Sequence, residues 1–228
     1  MNTTSEVHRP TVLQKPVFIR TRDTVLNGDL WLPAEATGMV LFAHGSGSSR
    51  HSPRNLFVAE QLHEYGLATL LMDLLSHEEE AEDERTMAFR FDIDLLARRL
   101  IDATRWVRQS SETRDLPMGY FGASTGAAAA LVAAAECGPE IAAVVSRGGR
   151  PDLAGAKLRD VTAPTLLIVG SEDHQVLALN RDALNMLAGL KKLIVVPYAT
   201  HLFEEPGALE QVADHAGWWF ARYLTKHA

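Results

Sequence analysis

The chain reads as an α/β protein, with a mostly parallel twisted sheet, an antiparallel hairpin at its N-terminal end and helices on both faces. Three observations predict this class. Short, nearly continuous apolar runs recur along the chain, as expected of strands buried on both faces. Helix-length amphipathic or alanine-rich segments separate them, the alternation that marks a parallel sheet. A stretch of period-2 alternation precedes them all, the pattern of a strand pair with one wet face.

That opening stretch, KPVFIRTRDTVLNGDLWLP, alternates around a polar turn at Arg22 and Asp23 and ends at Pro33. It predicts the hairpin, preceded by a flexible N-terminal segment over 1–14. The apolar runs that follow are MVLFA at 39–43, LATLLMD at 67–73, MGYFG at 118–122, IAAVVS at 141–146, TLLIVG at 165–170 and KLIVVP at 192–197. Between them, punctuation and periodicity predict helices from Pro53 to Glu64, from Phe91 to Gln109 and from Thr125 to Glu136. In the second of these, Ile93, Leu96, Leu100 and Val107 share a face. Asp182 to Leu187 belongs to a further helix, and Leu209 to Leu224 makes a terminal one carrying Trp218, Trp219 and Phe220. These three aromatics point in different directions, so they serve as core cover or as part of a dimer contact. The connection from Ser146 to Thr165 leaves no room for a large inserted domain, and 1–228 is expected to form one domain with an open site.

Composition narrows the partners. With 228 residues, 46% hydrophobic and 22% charged, the chain can bury one large core. A net charge of −7 disfavours nucleic acid and anionic membrane, which are held by clustered Lys and Arg. One cysteine, Cys137, cannot form an internal disulfide framework, and the start MNTTSEVHRP has neither a signal core nor an Arg-rich presequence. No run approaches the roughly 20 apolar residues of a membrane span. The expectation is a cytoplasmic protein, monomeric or homodimeric, acting on a small molecule.

Chemistry concentrates at the ends of the apolar runs, where an open parallel sheet gathers its ligand-binding loops. Gly122-Ala123-Ser124-Thr125-Gly126 matches G-x-S-x-G directly after a strand and directly before an alanine-rich helix. A sharp turn there lifts a serine hydroxyl above the sheet. Ser124 is equally compatible with a plain helix start, since serine favours that position. A serine nucleophile needs a base, and the base an orienting acid. SEDHQV after the fifth central run supplies Asp173, and YATHLF after the sixth supplies His201. The order Ser, Asp, His at successive strand ends makes Ser124 the candidate nucleophile, His201 the base and Asp173 the acid. Glu172 is the alternative acid. His174 lies in the acid's loop and reads as solvated.

Taken together, FAHGSGSSR at 42–50, GASTG at 122–126, VGSEDH at 169–174 and ATHLFEEPGAL at 199–209 resemble an α/β-hydrolase, specifically the dienelactone hydrolase family. The likeness runs from the hairpin to the terminal helix. It implies the α/β-hydrolase fold without a large cap domain, and a carboxylic ester hydrolase working through an acyl-enzyme with no metal or other cofactor. One departure matters: the family's namesake carries a cysteine where this chain has Ser124, so dienelactone is not implied as substrate, and Cys137 lies too far along the helix to take over. A serine there suits small or accessible acyl esters. Thioesterase, lactonase, peptidase or acyltransferase chemistry on the same three residues, or a non-catalytic binding module, are the alternatives.

The resemblance also implies an oxyanion hole formed by the N–H of Thr125, next after the nucleophile, and that of Ser46, with Gly45 as the alternative. His44 is expected to fix this loop by hydrogen bonds. Arg147, after the fourth central run, is a candidate for contact with a substrate carboxylate, although loop arginines more often form structural ion pairs. The acidic run SHEEEAEDERT at 76–86 is expected to be a solvated loop surface.

Overall fold

The computed structural model describes residues 11–225. Strands β1 (Val12–Arg20) and β2 (Val25–Pro33) form the expected hairpin, paired in register from Val12–Pro33 to Arg20–Val25. The remaining strands are β3 (Gly38–Ala43), β4 (Leu67–Met72), β5 (Met118–Ala123), β6 (Ile141–Arg147), β7 (Thr165–Gly170) and β8 (Lys191–Val196). Their order across the sheet is β1-β2-β4-β3-β5-β6-β7-β8. β2 joins β4 antiparallel, and every pairing from β4 to β8 is parallel. Strands β3, β4, β5 and β7 are buried at every residue, which is why they read as unbroken apolar runs. Of the N-terminal segment expected to be flexible, residues 12–14 belong to β1 and 1–10 lie outside the described residues.

Helices α1 (Pro53–Glu64) and α6 (Ala208–Tyr223) cover one face, packing Val58, Leu62, Val212 and Phe220 against Val40, Phe42 and Phe121. On the opposite face lie α3 (Ile93–Gln109), α4 (Thr125–Cys137) and α5 (His174–Met186). Alanines 127–130 are fully buried there, so α4 sits against the sheet without bulky side chains to hold it off. Trp219 and Phe220 are buried as core cover, while Trp218 stays exposed under the Arg222 guanidinium. The connection after β6 is a pair of 3₁₀ turns over Pro151–Asp160, with no inserted domain.

One element departs from the sequence reading. The acidic run is a helix, α2 (His77–Thr86), not a loop. Ser76 and Glu79 form a reciprocal capping box, and Glu78, Glu79 and Glu80 lie in the first turn, where the helix dipole favours negative charge. The run is also only partly solvated: Asp83 is buried, bonded to the Phe89 and Arg90 amides and paired with the Arg90 guanidinium at 2.7 Å.

Candidate active site

Ser124 stands at the junction of β5 and α4 with φ 51° and ψ −121°, in the strained positive-φ region. It occupies the N-cap position of α4, yet its hydroxyl makes no capping bond. Ordinary caps keep extended backbone angles and accept from the first-turn amides. Instead the Ser124 backbone is clamped, its N–H donating to Arg147 and its carbonyl accepting from Arg150. The flanking glycines allow the tight turn: a Cβ on Gly126 would collide with the Ala43 and His44 carbonyls, and one on Gly122 with the α4 backbone.

His201 arrives from the loop after β8, and Asp173 from the loop after β7. The two loops are tied by the Glu172 N–H donating to the Ala199 carbonyl at 3.0 Å. His201 Nδ1 meets Asp173 Oδ2 at 2.6 Å, the length of a charge-assisted bond. Asp173 is the N-cap residue of α5 and, like Ser124, makes no capping bond with its side chain. Glu172, the alternative acid, accepts from the Ser171 hydroxyl and lies 3.9 Å from the exposed His174 ring. It makes no contact with His201. Ser124 and His201 line one cleft of about 230 Å³, together with Gly45, Ser46, Ser48 and Leu202.

The loop after β3 is held from several sides. His44 donates from Nδ1 to the Gly45 carbonyl and accepts the Leu74 N–H at Nε2, 3.1 Å. Burial pushes its pKa down, which keeps the ring neutral and suited to accepting. Arg50 ties the loop's end to Asp73 and to Asp29. A Cβ on Gly45 would lie 3.0 Å from the Ser124 Cβ, so the loop and the elbow meet without spacing. The Ser46 N–H does not face the cleft free: it donates to Thr125 Oγ1 at 2.9 Å. Ser46 Oγ lies 2.9 Å from the same hydroxyl and donates to the Arg90 carbonyl, giving a short chain of hydroxyls.

Arg147 ends β6, paired across from Ala123, so its side chain stands beside the elbow. It lines the cleft, with its guanidinium 6.0 Å from the Phe203 ring and Nη2 3.4 Å from Asn55 Oδ1. Three lining residues at the start of α1 escaped sequence reasoning, the N-cap Ser52 and, in the first turn, Arg54 and Asn55. Their only signal is position, since a helix following β3 starts at the same end of the sheet as the other loops. Cys137 lies at the far end of α4, near the Tyr120 hydroxyl at 3.7 Å. Among the described residues, no group of three or more His, Cys, Asp or Glu side chains is placed to hold a metal ion, and no helix is long and apolar enough to cross a membrane.

A strand-turn-helix elbow, with a histidine-carboxylate pair delivered by the next loops of a parallel sheet, defines an α/β-hydrolase. Residues 27–220 match the dienelactone hydrolase family, and the chain belongs to it. A dienelactone hydrolase of Anabaena variabilis is 57% identical in its crystal structure, with a TM-score of 0.92 over 95% of this chain and 100% of that one. Est1E of Butyrivibrio proteoclasticus shares the fold at 16% identity, with a TM-score of 0.75 over 91% of this chain and 98% of its own. Two curated Mycobacterium tuberculosis proteins, named as candidate phosphoribosyl transferases, are 60% identical over 86% of this chain. This chain spans 44% of their length.

Proposed function

We propose that the chain is a serine carboxylesterase that hydrolyses small or accessible acyl esters through an acyl-enzyme. His201 Nε2 takes the Ser124 proton as Oγ adds to the ester carbonyl. The oxyanion so formed accepts from the Thr125 N–H and from the Ser46 N–H, once the Thr125 hydroxyl turns aside. His201 then gives its proton to the leaving alkoxide, and the C–O bond breaks. Water repeats the sequence against the acyl-serine, with His201 again as base. Asp173 holds His201 with its Nδ1 protonated, so that Nε2 is free to accept. Arg147 contacts the substrate in the same cleft.

The observation that carries this reading is the 2.6 Å His201–Asp173 bond in a histidine that shares a cleft with the strained, non-capping Ser124. A fluorophosphonate probe should label Ser124 in the native protein, and Ser124→Ala should remove ester turnover with unchanged circular dichroism. Undiminished hydrolysis by that variant would take Ser124 out of the mechanism. Thioesters, lactones and peptides in the same panel separate the reactions that share an acyl-enzyme. The phosphoribosyl-transferase name of the curated relatives belongs to proteins of which this chain matches 44%. The family match over residues 27–220 takes in Ser124, Asp173 and His201, so hydrolysis is the activity we assign to this chain.

A further inference from the structure

Arg147 is only 6% exposed, and no carboxylate lies within ion-pair distance of it among the described residues. Its Nε has no hydrogen-bond partner, and its one polar contact is the long bond to Asn55. Burial, and then the charge of Arg54, push the guanidinium pKa down to about 10, so it stays charged at neutral pH. A buried cation without a counter-ion is costly, and such charges are ordinarily paired. Arg54 is partly exposed and pairs with Glu204 at 3.6 Å, but its Nε is buried without a partner. Both side chains line the cleft that holds Ser124 and His201, and no carboxylate lines it with them.

The third positive element is α1 itself. Its N-terminus opens on the same cleft through Ser52, Arg54 and Asn55, with no acidic residue in the first turn to offset the dipole. Charge is sorted across the site. On the other side of Ser46, a second pocket of about 140 Å³ is lined by Asp73, Glu80, Asp83 and Glu84, with Arg90 already paired to Asp83. An anion entering the site is therefore drawn to the α1 side and repelled from the α2 side.

We propose that the cleft selects esters carrying a second, fixed anionic group, a carboxylate or a phosphate, which Arg147 and Arg54 hold at the start of α1 while the ester carbonyl sits at Ser124. This rests on the serine-hydrolase reading of the site and names its substrate class. The guanidinium fork suits either anion, because both offer two oxygens in bidentate geometry.

The test compares p-nitrophenyl valerate with mono-p-nitrophenyl glutarate, esters of equal acyl length of which only the second is charged. Hydrogen bonds to a charged group correspond to about 10- to 100-fold. The glutarate ester should lead in kcat/KM by that factor, chiefly through a lower KM. Arg147→Gln and Arg54→Gln should each reduce the lead about tenfold, with Arg147→Lys retaining part of it. A wild-type preference for the valerate, or a ratio that neither Gln variant moves, overturns the proposal. Should Arg147→Gln fail to fold, Arg54→Gln carries the same readout from the first turn of a helix.

Calorimetry on the full chain bearing Ser124→Ala makes the decision independent of turnover. Glutarate or glycerol 3-phosphate should bind, and the tighter of the two identifies the anion. Binding should weaken about tenfold with Arg54→Gln. If neither anion binds, the proposal falls even where esters are hydrolysed. If an anion binds but the fluorophosphonate leaves Ser124 unlabelled, the anion site stands and the hydrolase reading falls.

Discussion

Asp173→Asn isolates what the carboxylate charge does for His201. Asp173 Oδ2 lies 2.6 Å from His201 Nδ1, while its other oxygen has no protein partner among the described residues. The Asp173 side chain is 14% exposed, so water reaches that oxygen. No neighbouring amide therefore dictates which way an asparagine would face. Its carbonyl can turn to accept from Nδ1 and preserve the tautomer that leaves Nε2 without a proton. What is lost is charge. For centres about 4 Å apart at an effective dielectric near 20, attraction to the imidazolium of the transition state is about 4 kcal/mol. His201 is 39% exposed, and solvent screens part of this. The expected fall in kcat is about 10²- to 10³-fold. Asp173→Ala also releases the ring's orientation and should cost about 10⁴-fold. Steady-state hydrolysis of a p-nitrophenyl ester measures both, with Glu172→Gln as the control expected to stay within about twofold. A loss below tenfold in Asp173→Asn, or an equal loss in Glu172→Gln, refutes the assignment of the acid.

Ser124→Gly relieves a positive-φ strain of about 1–3 kcal/mol at the cost of about 1 kcal/mol of backbone entropy. It should therefore abolish turnover yet melt a few degrees above Ser124→Ala, which keeps the strain; equal or lower melting would place the strain elsewhere. Gly126→Ala forces a methyl against the Ala43 and His44 carbonyls and should destabilise by about 3 kcal/mol or more in urea unfolding, with wild-type stability as the refuting result. Burial holds the pKa of His63 at about 4, against 6.5 in the unfolded chain. The unfolded state takes up the proton first as pH falls, so this contribution is complete above pH 6.5 and is lost on the way down to pH 4, about 3 kcal/mol in all. His63→Gln keeps a partner for Thr69 and does not titrate; urea melts from pH 7 to 4 should show a shallower slope, and an unchanged slope removes His63 from the pH dependence.

What can be read from the chain divides along physical lines. Strands buried on both faces announce themselves, so β3, β4, β5 and β7 are found to within a residue or two. β8 is an edge strand with exposed Lys191 and Lys192, yet its run at 192–197 also places it to within a residue. α2 is missed because it has no apolar stripe; the capping pair Ser76 and Glu79 is present, but the charge run around it reads equally well as solvated chain. The start of α5 at His174 is missed although Val176 and Leu177 are buried in its first turn, because the polar SEDH before them reads as loop. At the site, residue type and order lead to Ser124, Asp173 and His201, since each follows a strand end. The choice between Glu172 and Asp173 is not in the sequence, because adjacent residues differ only in the direction the loop gives them. Nor is the bond from the Ser46 N–H to Thr125, which depends on one side-chain rotamer. Arg54 is hidden because the aim of a first-turn side chain follows from how its helix crosses the sheet.

Helix N-caps make the same point in energetic form. Ser52, Ser76 and Asp92 begin α1, α2 and α3, and each accepts a hydrogen bond from a first-turn amide, those of Asn55, Glu79 and Leu95. Ser124 and Asp173 are of the same residue types in the same slot, and neither caps. Forgoing a cap costs about 1 kcal/mol each, and at Ser124 backbone strain adds to it. α4 absorbs this because residues 125–134 are buried throughout, so packing rather than its first turn holds the helix. α5 keeps the backbone half of its start, with the Leu177 N–H donating to the Asp173 carbonyl at 2.8 Å. A polar residue before a helix is thus an ambiguous sign until its own hydrogen bond is traced. Where that bond goes to the helix, the residue is structural. Where it goes to His201, or to no helix amide at all, the chain has left stability unspent at the place where the fold gathers its reactive groups.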